Sequence, residues 1–196
     1  MPESLKKLID IIAYLPGIGE KSAARLGFFL LKANSTYVSN FSKQLEKIKT
    51  QIKTCNSCFG YTDNDNGICS ICSDNSRDQD VICVVEDYLD LISIEKLKIF
   101  KGQYHVLGGS ISPVNGILPK DLKFQELFEK VKKLKYKEII LAINPNIEGE
   151  ATSMYIKENL LNIDINITKL SKGLPNAGYI EYADEITLIN AFKGRN

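Results

Sequence analysis

No apolar run in this chain reaches the ~18 residues that a helix needs to cross a bilayer, so a helical membrane protein is not expected. After Met1 the chain reads Pro-Glu-Ser-Leu-Lys-Lys, and Asp10 interrupts the apolar positions that follow, so no secretory h-region is present. The expectation is a cytoplasmic protein whose thiols stay reduced. An excess of one charge is also lacking: 25 Lys and Arg stand against 24 Asp and Glu, a net of +1. No global field therefore points to a polyanionic partner. There is one histidine, His105, with no second His or nearby Cys, and it reads as structural rather than catalytic. Internal repeats and low-complexity tracts are absent. The turn-rich loop Gly173 to Gly178 lacks the terminal G-K-[ST] of a Walker A loop, so nothing supports nucleotide hydrolysis.

What is present is unevenly placed. Apolar residues make up 44% of 196, enough for a real core in one or two domains. Residues 1–54 carry nine Lys/Arg and four Asp/Glu, a net of +5, while the remainder carries sixteen against twenty, a net of −4. A basic lobe on a near-neutral body suggests a local nucleic-acid surface; a solvated Lys-rich face is the alternative. Leu5, Leu8, Ile9 and Ile12 form an i, i+3, i+4, i+7 stripe, which predicts a helix over 3–14. Leu15-Pro16-Gly17-Ile18-Gly19 breaks it, and 20–32 reads as a second helix. Glycines at 17 and 19 let backbone N–H groups near a helix N-terminus approach a phosphate. Lys21 and Arg25, one turn apart, would flank it. Such contacts are independent of sequence, because phosphates carry no base information. A tight αα-turn without a ligand has the same outline. A third helix is expected over 38–53, packing Val38, Phe41, Leu45, Ile48 and Ile52 on the first two; its lysines 43, 47, 49 and 53 read as solvated surface.

Cys55-x2-Cys58-x10-Cys69-x2-Cys72 follows. Each C-x-x-C pair can place two thiolates on one knuckle, and two knuckles close a tetrahedral Zn²⁺ site. The loop Tyr61-Thr-Asp-Asn-Asp-Asn66 is too polar to pack, so a metal must do the stapling. Disulfides or a redox pair would use the same residues but suit a reducing compartment less well. With four thiolates no position is left for water, so the site is expected to be structural. Cys83 lies within an apolar run and reads as a core residue.

From Asp80 the pattern becomes α/β. Val81-Ile-Cys-Val-Val85 and Ile139-Ile-Leu-Ala-Ile143 read as strands buried on both faces. Helices are expected near 87–97, 122–134 and 150–161, and further strands at 104–107 and 163–169. That alternation predicts a parallel sheet with helices on both faces. The loop from Gly108 to Pro119 is long for a structureless connection, which often marks function. The first strand ends in Glu86, with Asp90 one turn on; the central strand runs into Asn144-Pro145 and then Glu148-Gly149-Glu150. If the two strands are neighbours, Glu86, Asp90, Glu148 and Glu150 meet at the carboxyl edge of the sheet, where sites sit in open α/β folds. Such a group could hold a divalent cation through oxygen. Ordinary helix-start carboxylates, favoured by the helix dipole, would look the same. A final helix is expected over 185–193.

A strand ending in Glu, followed by a strand ending in D-x-D-x-E-G-E, is the pattern of the Toprim domain of topoisomerases and primases, which this chain resembles. Asn144 and Asn146 stand where that pattern has its paired Asp residues. A neutral amide is a much weaker ligand for a hard cation, which argues against Mg²⁺-dependent strand chemistry here. N-P-x-x-E-G-E-A-T, the L-P-G-I-G-x-K-x-A-x-R hairpin, the four cysteines, the loop G-x-S-I-S-P-x-x-G-I-x-P and the tail G-L-P-x-x-x-x-x-E-Y-A-D-E-x-T-L-x-x-A-x-x-G-R together resemble the bacterial RecR family over the whole chain. The resemblance implies a helix-hairpin-helix region at 1–54, a zinc finger at 55–79, a Toprim domain at 80–172 and a C-terminal tail at 173–196. It implies one structural zinc per chain, on Cys55, Cys58, Cys69 and Cys72, and DNA contacts from Gly17, Gly19, Lys21 and Arg25. It implies a homotetramer, ring-like and able to enclose DNA, that is not an enzyme. Such a mediator acts in DNA repair with RecO and RecF, helping RecA onto gapped DNA coated with single-strand-binding protein. The acidic cluster is then tied to partners and DNA handling rather than to chemistry. The competing reading is a Mg²⁺-dependent Toprim nuclease or topoisomerase-like enzyme.

Overall fold

Leu5, Ile9 and Ile12 are the buried residues of the first helix, α1 (Glu3–Ala13), as their spacing predicts. They close on Ala23 and Gly27 of α2 (Glu20–Lys32). The computed structural model describes residues 1–170, so the expected C-terminal loop and helix lie outside the described residues. The chain divides into two units, Met1–Ile52 and the residues from Lys53 onward. No helix among the described residues is long and apolar enough to cross a membrane.

The third helix, α3 (Ser35–Gln51), begins three residues earlier than the apolar pattern predicts, because Asn34 caps it by accepting the Tyr37 N–H at 2.7 Å. Its packing also differs. No residue of α3 is buried, and Phe41, Leu45 and Ile48 stay about half exposed. Small residues on α2 let α1 approach closely enough to complete a core without α3. The ring of Tyr37 still meets Phe29 of α2 edge-on, with centroids 5.8 Å apart.

The second unit opens with a hairpin, β1 (Lys53–Thr54) against β2 (Tyr61–Thr62), and one helical turn, α4 (Ser70–Ser73). Then follow β3 (Val81–Val85), α5 (Tyr88–Lys96), β4 (Gln103–Val106), α6 (Phe124–Leu134), β5 (Glu138–Ala142), α7 (Ile147–Asn159) and β6 (Asn166–Lys169). The four strands from β3 onward form one sheet in the order β4-β3-β5-β6, with every neighbouring pair parallel. The central position of β3 explains its unbroken apolar run. Successive side chains alternate between faces. Ile82 and Val84 join Leu127, Val131, Ile139, Leu141 and Ile156 in one core. Cys83 and Val85 join Leu91, Tyr104 and Val106 in another, and Cys55, Cys58 and Cys69 belong to that second core. The cysteine finger thus covers the sheet on the same side as α5. The loop from 108 to 119 is not structureless: it carries short 3₁₀ turns at Pro113–Asn115 and Pro119–Asp121 and a bridge between Ser112 and Ile117.

Candidate functional site

The sulfurs of Cys55, Cys58, Cys69 and Cys72 lie within 4.8 Å of one another. A tetrahedral ion with metal–sulfur bonds of ~2.3 Å spaces its sulfurs ~3.8 Å apart; Cys58 and Cys69 stand at 3.6 Å. All five cysteines of the chain are free thiols. The first knuckle is tightened by the Cys55 N–H donating to the Gly60 carbonyl at 2.7 Å and the Phe59 N–H to Cys55 at 3.0 Å. Phe59 accepts a left-handed conformation, φ 62°, to make that turn. Two backbone N–H groups point at sulfur: Cys69 N–H to Cys55 at 3.3 Å and Cys72 N–H to Cys69 at 3.4 Å. Hydrogen bonds from the Cys58 and Cys72 side chains pull the Cys69 thiol well below the ordinary thiol range. Four clustered sulfurs, three of them on buried residues and two receiving backbone N–H donors, fit a thiolate-bound metal ion. Cys83 is different: burial pushes its thiol up to about 12, which makes it an inert core residue.

At the α1–α2 turn, Gly17 sits at φ +79°, a conformation that L side chains rarely adopt. A Cβ at either Gly17 or Gly19 would meet nothing within 4 Å, so the space in front of both is open. Gly19 caps α2 without any side-chain hydrogen bond, and the first intrahelical bond runs from the Ala23 N–H to the Gly19 carbonyl at 2.9 Å. The N–H groups of the first turn therefore face outward with no partner from the helix. Lys21 and Arg25 lie on this turn and the next, are exposed, and form no ion pair among the described residues.

The third place is the carboxyl edge of the sheet. β3 and β5 are neighbours, so Glu86 and Asn144 come together. Glu86 is 8% exposed. Its two carboxylate oxygens accept the Asn144 backbone N–H at 2.8 Å and the Asn144 side-chain N–H at 2.7 Å. The Gly108 N–H donates to the Glu86 carbonyl at 2.9 Å, which starts the 108–119 loop beside it. Asp90 serves α5: with Asp87 it forms a reciprocal capping box, accepting the Asp87 N–H at 3.0 Å. Asn146 caps α7 through the Gly149 N–H at 2.8 Å, which moves the helix start forward from 150 to Ile147. A Cβ on Gly149 would fall 1.9 Å from the Asn144 carbonyl oxygen, so only glycine lets this turn fold onto α7. Glu148 is half-buried in the first turn of α7, and Glu150 pairs with Lys169 of β6 at 2.6 Å. The hydroxyl of buried Thr152 accepts the Ile111 N–H at 2.9 Å, tying the 108–119 loop to α7.

Two contributors are not evident from sequence spacing. Asn144 reads as a departure from an acidic motif, whereas its amide is the partner of Glu86. Lys130 belongs to no motif of the sequence, yet its ammonium reaches the Ser57 carbonyl at 3.2 Å. Its one signal is its place beside Leu127 and Val131 at the border of the apolar stripe. His105 is structural: it is fully buried and its Nε2–H donates to the Lys123 carbonyl at 2.7 Å.

Three family models match parts of the chain. The model of the Toprim domain matches residues 80–171. The model described as RecR, helix-hairpin-helix, matches 5–49, and that of RecR, C-terminal, matches 178–196, outside the described residues. The Recombination protein RecR of Staphylococcus haemolyticus (strain JCSC1435) is 48% identical over 194 residues, 99% of this chain and 97% of its own. The Recombination protein RecR of Staphylococcus aureus (strain JH9) is 48% identical over the same coverage.

Proposed function

The chain belongs to the RecR family of recombination mediators, and from that premise we propose that it binds DNA backbone at gaps and, with RecO and RecF, helps RecA displace single-strand-binding protein. The observation that carries the reading is the α1–α2 turn. Outward N–H groups, open space at Gly17 and Gly19, and the exposed cations Lys21 and Arg25 make a phosphate cradle with no means of reading bases.

The sheet edge supports binding without bond cleavage. A Toprim enzyme gathers carboxylates around Mg²⁺, whereas here the carboxylate of Glu86 faces the neutral amide of Asn144, which donates to it. The edge then works as a contact surface with no Mg²⁺ of its own. The four cysteines hold one zinc per chain, as a staple rather than a reaction centre. Assembly as a homotetramer in the cytoplasm completes the reading.

The test is RecA loading on gapped DNA coated with single-strand-binding protein. The purified chain, together with RecO, should shorten the lag before RecA hydrolyses ATP on that DNA. No shortening would reject the mediator role. A nicking assay on the same DNA with and without Mg²⁺ addresses the enzymatic alternative, which predicts cleavage that Glu86→Gln abolishes.

A further inference from the structure

The ammonium of Lys130 leaves α6, on one side of the sheet, and passes over the β4 edge toward the finger on the other. It donates to the Ser57 carbonyl at 3.2 Å and to the Tyr104 carbonyl at 3.4 Å. Ser57 lies between Cys55 and Cys58, inside the first knuckle. The next carbonyl, that of Cys58, accepts the Val106 N–H of β4 at 2.8 Å. Phe59 completes the joint, edge-on to His105 with centroids 5.2 Å apart and with the Lys123 ammonium 5.4 Å from its ring centre. The outer edge of β4 is thus joined to the knuckle.

Charge adds to the geometry. Four thiolates around Zn²⁺ carry a net double negative charge, and burying it is costly unless a cation lies near. Burial pulls the Lys130 ammonium below the ordinary lysine range, while the negative charge of all four cysteines works the other way. We infer that Lys130 is a positioning residue of the metal site, a built-in counter-cation that clamps the first knuckle to the β4 edge and slows loss of the metal. The inference rests on the reading above, that the four thiolates hold zinc. It assigns α6 a part in a site whose ligands all lie before β3.

Zinc release from the loaded full-length protein to a chelating dye at neutral pH tests it. Lys130→Met keeps the side-chain length and removes charge and donors; Lys130→Arg keeps both. The Met variant should release zinc ~10-fold faster than wild type, and the Arg variant should stay within about threefold, as for other outer partners of metal ligands. Equal release from wild type and Lys130→Met overturns the inference, and so does an Arg variant as fast as Met. If the Met variant does not fold, reductive methylation of wild type read by mass spectrometry decides. Lys130 should label at least about fivefold more slowly with zinc than after chelation, because the clamp must open first; equal labelling overturns the inference. A wild type that purifies without zinc overturns the metal reading and this inference together. A zinc-loaded wild type that fails the release comparison overturns the inference alone.

Discussion

Glu86 and Asn144 satisfy each other: both carboxylate oxygens of the first accept N–H groups of the second, at 2.8 and 2.7 Å. An aspartate at 144 would set two carboxylates against each other where an amide now donates. Asn144→Asp should therefore cost about 2 kcal/mol of stability at neutral pH. Urea denaturation checks the size, and millimolar Mg²⁺ should restore part of the loss in the variant while leaving wild type unmoved. Equal stability of variant and wild type would show that the amide is dispensable.

The turn after β5 depends on the missing side chain of Gly149. A methyl group there would overlap the Asn144 carbonyl oxygen, which is backbone and cannot swing aside. Gly149→Ala should destabilise the second unit by about 3 kcal/mol. Thermal unfolding would read this as a lower midpoint, and release of the Asn144–Glu86 pair should accompany it.

Replacing Lys21 and Arg25 together with Ala should weaken binding to duplex and single-stranded DNA alike. The slope of log affinity against log salt should become shallower by about 1.5, the effect of losing two phosphate contacts. Fluorescence anisotropy over a salt series on two unrelated sequences measures both. Unchanged affinity would move the DNA surface away from the α1–α2 turn.

His105 should make stability depend on pH. Burial lowers its pKa to about 4 from an ordinary 6.5, so the unfolded chain binds the extra proton between those values. Stability then rises with pH across that window and is lost as pH falls below 6.5. Between pH 7.5 and 5.5 the loss from this group is about 1 kcal/mol. His105→Gln cannot titrate, and its urea midpoints at the two pH values should differ less than those of wild type.

Most of the sheet was readable because its strands are buried on both faces. Val81–Val85 and the run around Leu141 are apolar without alternation, and their shortness together with the turn residues after them favours a buried parallel strand over a helix. The cysteine spacing was readable because two C-x-x-C knuckles bring four sulfurs together, as the fold does here. Helix starts were less so: α3 and α7 begin early at Asn34 and Asn146, whose caps outweigh the apolar period that follows. The exposed stripe of α3 was not readable, because Val38, Phe41 and Leu45 have the same spacing whether or not a partner covers them. Nor was the bond from Lys130 to Ser57, which joins residues far apart in sequence through a strand edge that only the fold creates.

The central place of β3 has a consequence for biosynthesis. Both of its neighbours, β4 and β5, are made after it, while the four cysteines leave the ribosome before it. On the proposal that the four cysteines hold zinc, the nascent finger can take up its ion before the four-stranded sheet exists, and β4 then docks on a knuckle the metal has already closed. On the same proposal, a chain translated during zinc starvation would assemble its sheet with that knuckle unformed and the outer edge of β4 open to pairing with other copies.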